Sequence, residues 1–347
     1  MTARTDWSRA RAALTTIVAL VSLVTLVTSC SVAASGSPHP DASTASVGPL
    51  VARSQASAAT PTQSPAGPPY PVGAREITVD NHARSRVLPT LVRYPAMTGH
   101  ADQDNWGASA APGAFPLVVF APGYLQCGSA YAPLLRSWTQ AGFVVAEVSF
   151  PLTDCHTSSP DEADIINQPS DVGAVISQLL ADSGDPASPL HGLIDPHRVA
   201  VAGHSDGGDT VAAAADNTCC RDDRVSAAIV LAGAELSSFG GTYFPPGSPP
   251  TLFVQGTGDT VNLPPDTKQL YNGDRAGAKA LLWVDGANHL SPYEGNGPAE
   301  QLVAKVTTDF LEMTLRGSGP AGQSMVRDGN VTGRSTLTTS GMPSAAG

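Results

Sequence analysis

Basic residues are scarce in this chain. Nineteen Lys and Arg stand against 30 Asp and Glu over 347 residues, a formal net charge of −11. An acidic surface repels a polyanion, so nucleic acid is excluded as a partner. Cysteine is scarce too, five in all, and no CxxC or HxxxH spacing occurs. A metal site is therefore not expected, and nothing in the sequence asks for another cofactor. Apolar runs are short. The one near the N-terminus, "AALTTIVALVSLVTLV", falls below the roughly 20 residues that a stable membrane span needs. Internal repeats are absent.

That N-terminal run has the flanks of an export signal. Arg4, Arg9 and Arg11 precede it, and small Thr28 and Ser29 follow it directly before Cys30. Residues 1–29 thus read as a cleaved leader. "LVTSC" resembles the lipobox of bacterial lipoproteins, which implies that Cys30 is lipidated and becomes the first mature residue. Acyl chains at about 0.8 kcal/mol per buried CH₂ would hold the protein at the extracytoplasmic face of the cell membrane. If the lipobox is not used, the protein is secreted. Residues 30–72 are Ser, Ala, Pro, Gly and Thr with few large apolar side chains, a flexible tether by composition. Residues 317–347 are similarly small and polar and are expected to be disordered. Residues 73–316 between them suffice for one domain. Without the leader, 16 basic residues face 29 acidic ones, a balance of −13.

Four Cys remain beyond Cys30. Outside the cytoplasm an even number points to disulfides, and four allow three pairings. Cys127 and Cys155 each follow a predicted strand by a few residues, so their loops can meet at one edge of a sheet. Cys219 and Cys220 would then pair as neighbours, which is rare, and crossed pairing stays open.

Short runs rich in Val, Ile and Phe alternate with helical spacing. "REITV" and "TLVRYP" read as an opening hairpin. "FPLVVFAPG", "FVVAEVSF", "RVAVAG", "SAAIVLAG", "TLFVQG" and "ALLWVDG" follow. Such near-continuous apolar runs suit strands buried on both faces of a mostly parallel sheet. Residues 129–142, 170–182 and 299–315 carry apolar residues at helical spacing, with Ser170 and Asp171 as a cap for the second. The fold class is α/β, with helices on both faces of the sheet. In such sheets the reactive loops lie beyond the carboxyl ends of the strands.

"GHSDG" (Gly203 to Gly207) fits GxSxG between the strand "RVAVAG" and the helix "GDTVAAAAD". Gly203 and Gly207 permit the sharp turn that lifts Ser205 above the sheet. A Gly-rich turn closing the strand is the bland alternative, and a lone GxSxG is common. A serine nucleophile needs a base. Of eight His, only His289 follows Ser205, in "DGANHLSP" after the last predicted strand. Asp259, after the penultimate strand, is the expected partner of His289; Asp285 is the rival, better suited to local hydrogen bonds. Asp206 and Asp209 stand at the start of the following helix and suit its N-terminus. Two N–H donors must await the oxyanion, and the expected pair is Tyr124, in "APGYLQCG", and Asp206.

With these pieces placed, the domain resembles the α/β-hydrolase superfamily. "FAPGY", "DPHRVAVAGHSDGG" and "GANHLSP" are similar to the branch that holds cutinase-like polyester hydrolases, chlorophyllases and platelet-activating-factor acetylhydrolases. The resemblance implies cofactor-free hydrolysis of carboxylic esters through an acyl-enzyme on Ser205, His289 and Asp259. It departs from the polyester enzymes at Asp206, where those often carry Met. A carboxylate there disfavours acidic substrates unless its side chain turns toward the helix start. The polar segment 151–168 is a candidate rim. A small or medium ester, small-molecule or lipid, is the expected substrate, and the domain is expected to be a monomer. An amidase or peptidase would use the same residues. A non-catalytic binding protein would show broken parts, and none is broken.

Overall fold

The computed structural model describes residues 68–275 and 277–342. The leader, Cys30 and the tether up to residue 67 lie outside the described residues. Among those described, the chain opens with β1 (Val72–Asn81) and β2 (Arg86–Pro95), paired antiparallel as the hairpin expected from the sequence. β3 (Asn105–Trp106) adds a two-residue edge to β1. Strands and helices then alternate: β4 (Phe115–Ala121), α1 (Ala132–Gln140), β5 (Val144–Val148), α2 (Gln168–Gly184), β6 (Ile194–His204) and α3 (Asp206–Asp216). After β7 (Val225–Leu231) and β8 (Thr251–Gly256) come α4 (Pro264–Gly273) and β9 (Lys279–Val284). The chain closes with α5 (Pro298–Arg316), α6 (Gly319–Gly329) and β10 (Ser335–Ser340).

The strands form a single sheet in the order β10-β9-β8-β7-β6-β4-β5-β2-β1-β3. From β5 to β9 every neighbour is parallel; β2 and β10 join antiparallel at either side. Alternation along each strand divides the core in two. Leu117, Val119 and Ala121 of β4 pack with α2, α3 and α4, whereas Val118 and Phe120 pack with α1, α5 and α6. Helices on both faces explain why the central strands read as unbroken apolar runs. This is the α/β-hydrolase architecture that the sequence implied.

Two expectations change. The helix predicted over 170–182 begins earlier, at Gln168, and Asp171 does not cap it. Its carboxylate instead accepts from Arg86 Nε at 2.8 Å and from Arg84 Nη1 at 2.5 Å, while Arg86 also holds Asp164 at 2.7 Å. These ion pairs tie the 151–168 segment to the opening hairpin. Buried pairs of this kind fix geometry more than they add stability.

The second correction concerns the tail. Residues from 317 onward were expected to be disordered, yet α6 and β10 fill most of 317–342. An edge strand needs only one apolar face, so the pattern is sparse. In β10, Ser335 and Leu337 are buried and Thr336 between them is exposed. Met325 and Ala321 of α6 are buried with Leu337 in the same core. Gly329 is required because a Cβ there would press on Leu337 at 2.8 Å. Asn330 closes the turn by accepting from the Leu337 N–H at 3.1 Å.

Truncation after Arg316 tests this packing. Losing Met325 and Leu337 alone removes about 3–6 kcal/mol of burial. Tm should therefore fall by roughly 10 °C or more. A truncated protein that melts with the full chain would return the tail to a dispensable appendage.

Candidate active site

Ser205 sits directly between β6 and α3 with φ 56, ψ −124. A non-Gly residue at positive φ is strained by about 1–3 kcal/mol and persists only where its surroundings dictate it. Here they do. A Cβ at Gly203 would run into the Gly207 carbonyl, and one at Gly207 into the carbonyl of Ala121 on β4. The close approach of strand and helix forces the turn, and the Ser205 side chain stands at its apex beyond the carboxyl end of the sheet.

The predicted partners converge on it. His289 Nε2 lies 3.0 Å from Ser205 Oγ, and His289 Nδ1 lies 2.8 Å from Asp259 Oδ2. Asp259 is 3% exposed, and its carboxylate is well supplied with donors. Oδ1 accepts from the N–H groups of Val261 (2.8 Å) and Asn262 (3.1 Å), and Oδ2 also accepts from Gln255 Nε2 at 3.0 Å. With its lone pairs engaged, the carboxylate presents one fixed edge to the imidazole. Asp285 is exposed in the turn that follows β9, and its N–H donates to the Arg334 carbonyl at 2.8 Å.

The loops that carry Asp259 and His289 are hydrogen-bonded directly to each other. Gly258 N–H donates to the Ala287 carbonyl at 2.9 Å, and Gly286 N–H donates to Thr257 Oγ1 at 2.8 Å. A Cβ at Gly258 would sit 2.9 Å from the Gly286 carbonyl oxygen. Sequence reasoning missed Gln255, which lies inside a run read as uniformly apolar. Its Oε1 accepts from Thr267 Oγ1 of α4 at 2.6 Å, so α4 helps hold the acid through it.

Asp206 opens α3, where first-turn N–H groups point out of the helix end. The Tyr124 loop lies alongside: a Cβ on Gly123 would stand 3.2 Å from Ser205 Cβ. Asp206 is buried, so its carboxylate is not presented to solvent at the rim. Burial, and then the charges of Asp206 and Asp161, push the Tyr124 hydroxyl above its usual value. Asp209 stands in the first turn of α3 as expected, and its Oδ1 also accepts from the Ala234 N–H at 2.5 Å, fixing the loop after β7.

A family model described as PET hydrolase-like matches residues 92–315. The chain belongs to the PET hydrolase-like family. The matched span runs from β2 to the end of α5 and includes Ser205, Asp259 and His289. A bis(hydroxyethyl) terephthalate hydrolase of Streptomyces coelicolor is 30% identical over 231 residues, covering 65% of this chain and 66% of that protein. The alignment thus spans just under two thirds of the relative's length. The likeness to polyester hydrolases, drawn from three short motifs, extends across most of the PET hydrolase-like domain.

Of the three pairings left open, the structure has Cys127–Cys155 with the neighbours Cys219–Cys220. The crossed pairing is thereby excluded. Cys127–Cys155 joins the Tyr124 loop to the loop after β5, beside the Leu125 N–H donating to the Thr153 carbonyl at 2.8 Å. The thiols and His156 also lie close enough to hold a metal, but the two sulfurs are consumed by the bond. A cavity of about 490 Å³ lies between α1 and α5, lined by Arg136, Glu300 and Lys305 among others. Ser205 and His289 do not line it.

Cys127 and Cys155 close a 28-residue separation, so replacing both by Ser should cost about 3 kcal/mol by loss of the unfolded-state constraint. For a domain of this size that is roughly 6–12 °C in Tm. The Cys219/Cys220 double Ser variant, whose bond closes almost no loop, should shift Tm far less. Calorimetry showing the reverse order would mean that the longer bridge does not constrain the chain.

Proposed function

We propose that this protein is a serine hydrolase of carboxylic esters, working through an acyl-enzyme on a Ser205-His289-Asp259 triad. The observation that carries the reading is the continuous hydrogen-bond chain from Ser205 Oγ through His289 to Asp259, at 3.0 and 2.8 Å. Ser205 Oγ attacks the ester carbonyl carbon while His289 Nε2 takes its proton. Asp259 stabilises the imidazolium and holds the ring in the tautomer with Nδ1–H. The N–H groups of Tyr124 and Asp206 receive the oxyanion. Collapse expels the alcohol, which leaves with the proton from His289. Water, deprotonated by His289, then attacks the acyl carbon and releases the acid.

Family membership and the terephthalate-ester relative favour a small aromatic diester among the carboxylic esters.

Kinetics on bis(hydroxyethyl) terephthalate, p-nitrophenyl esters and a matched p-nitroanilide test the assignment. Ser205→Ala should lower ester turnover by ~10⁴-fold or more. Asp259→Ala should cost far more than Asp285→Ala. Wild-type rates in Ser205→Ala sink the mechanism, and faster turnover of the anilide than of the esters moves the protein to the amidases.

We further infer export and lipid anchoring through Cys30, with the domain facing out of the cell. The leader pattern and the disulfides, which suit an oxidising compartment, support this. Full-length protein should partition with the membrane fraction and Cys30→Ala should be released. Equal partitioning of the two would remove the anchor.

A further inference from the structure

His204 precedes the nucleophile and was excluded as a base by chain order. It is nonetheless fully buried, with both ring nitrogens engaged. Nε2 lies 2.9 Å from the His289 carbonyl oxygen, and Nδ1 lies 2.8 Å from Tyr131 Oη. The Tyr131 hydroxyl in turn receives the Gly123 N–H at 3.3 Å. Tyr131 and His204 are both 0% exposed, so water cannot stand in for either partner.

The directions of these bonds follow from the chemistry of the groups. A carbonyl only accepts, so His204 Nε2 must carry the hydrogen. Desolvation first, then the neighbouring His289, hold the His204 pKa well below the usual imidazole value. The ring is therefore neutral, and its Nδ1 is an acceptor. Tyr131 must donate to it, and burial pushes the Tyr131 hydroxyl well above its usual value, so that proton stays. The Gly123 N–H then donates to the Tyr131 oxygen. One chain results, all donors pointing the same way: Gly123 N–H to Tyr131 O–H, to His204, to the His289 carbonyl.

Its ends are the significant part. Gly123 immediately precedes Tyr124, the proposed oxyanion donor. His289 is the proposed base. His204 itself is bonded covalently to Ser205. The His204 ring is also packed against the rings of His289 and Tyr293, each with centroids 4.7 Å away. Tyr293 is fixed by its hydroxyl donating to the Val254 carbonyl at 3.0 Å.

We propose that Tyr131 and His204 are positioning residues, forming a buried directional strut that sets the oxyanion loop and the base loop at a fixed separation behind Ser205. The proposal rests on the assignment of Ser205, His289 and Tyr124 made above. Misplacing a catalytic group by about 1 Å can cost 10²-fold in rate, so a strut of this kind acts on kcat rather than on substrate affinity.

Steady-state kinetics on a p-nitrophenyl ester tests it, with active enzyme counted by fluorophosphonate titration and all variants assayed below their Tm. Tyr131→Phe deletes only the hydroxyl, and His204→Leu deletes both ring nitrogens. Each should lower kcat by ~10–100-fold with KM held within about two-fold. His204→Gln carries an amide N–H and C=O that can take the two roles of the neutral ring, and should keep kcat within about five-fold. The Tyr131→Phe/His204→Leu double variant should be no slower than the slower single one, because both cut the same chain. The strut is overturned if Tyr131→Phe keeps wild-type kcat, if His204→Gln is as slow as His204→Leu, or if the loss appears in KM alone. Should Tyr131→Phe not fold, the contrast between His204→Gln and His204→Leu decides. Ser205→Ala run beside them separates the two levels: if it stays active, the site assignment fails rather than the strut.

Discussion

The whole site hangs on one backbone constraint, a serine held at φ 56 where β6 passes into α3. A free chain avoids that conformation, so it survives only because β4, β6 and α3 approach too closely for any other turn. Gly203 and Gly207 are the contact points, and neither has room for a Cβ. Core packing on both sides of the sheet thus supplies the energy that keeps Ser205 raised. Its strain of about 1–3 kcal/mol is small against the burial of the strands that enforce it.

Once Ser205 is fixed, geometry elsewhere must meet it. Asp259 and His289 follow adjacent parallel strands, β8 and β9, which leave the sheet at the same level. Their loops would diverge without the Gly258–Ala287 and Gly286–Thr257 hydrogen bonds that lock one to the other. A buried carboxylate is costly unless its oxygens are occupied. Asp259 meets that condition through Val261, Asn262, Gln255 and His289, which is also what prevents it from swinging. Satisfying the charge and orienting the imidazole are the same set of bonds.

Much of this was legible in the sequence because it is local. A GxSxG between an apolar run and a helical pattern specifies its own turn, and buried parallel strands announce themselves as unbroken Val and Ile. Elimination pointed to His289, and place after a strand to Asp259, as the side chains that meet Ser205. What escaped depends on contacts between distant residues. Tyr131 and His204 are 73 positions apart, and no periodicity links them. Gln255 is one polar residue in a strand, meaningful only once Asp259 and Thr267 are seen around it. β10, with its Ser and Thr, is a strand because β9 offers it an edge; its own composition is that of a loop. α4 begins with two prolines, which look like a break but are tolerated in a helix's first turn.

The Tyr124 loop is held from two sides by means that differ in kind. On the outside, Cys127–Cys155 closes a long stretch of chain, and such a bond stabilises chiefly by restricting the unfolded state. It limits how far the loop can wander but does not aim a particular N–H. On the inside, Gly123, Tyr131 and His204 make short bonds whose net contribution to stability is about 1 kcal/mol each. They have little leverage on folding and much on direction, since an N–H donor serves an oxyanion only when it points at it. Stability and alignment of the same loop therefore reside in different residues. The bridge holds the loop to the folded domain, and the strut aims it at Ser205.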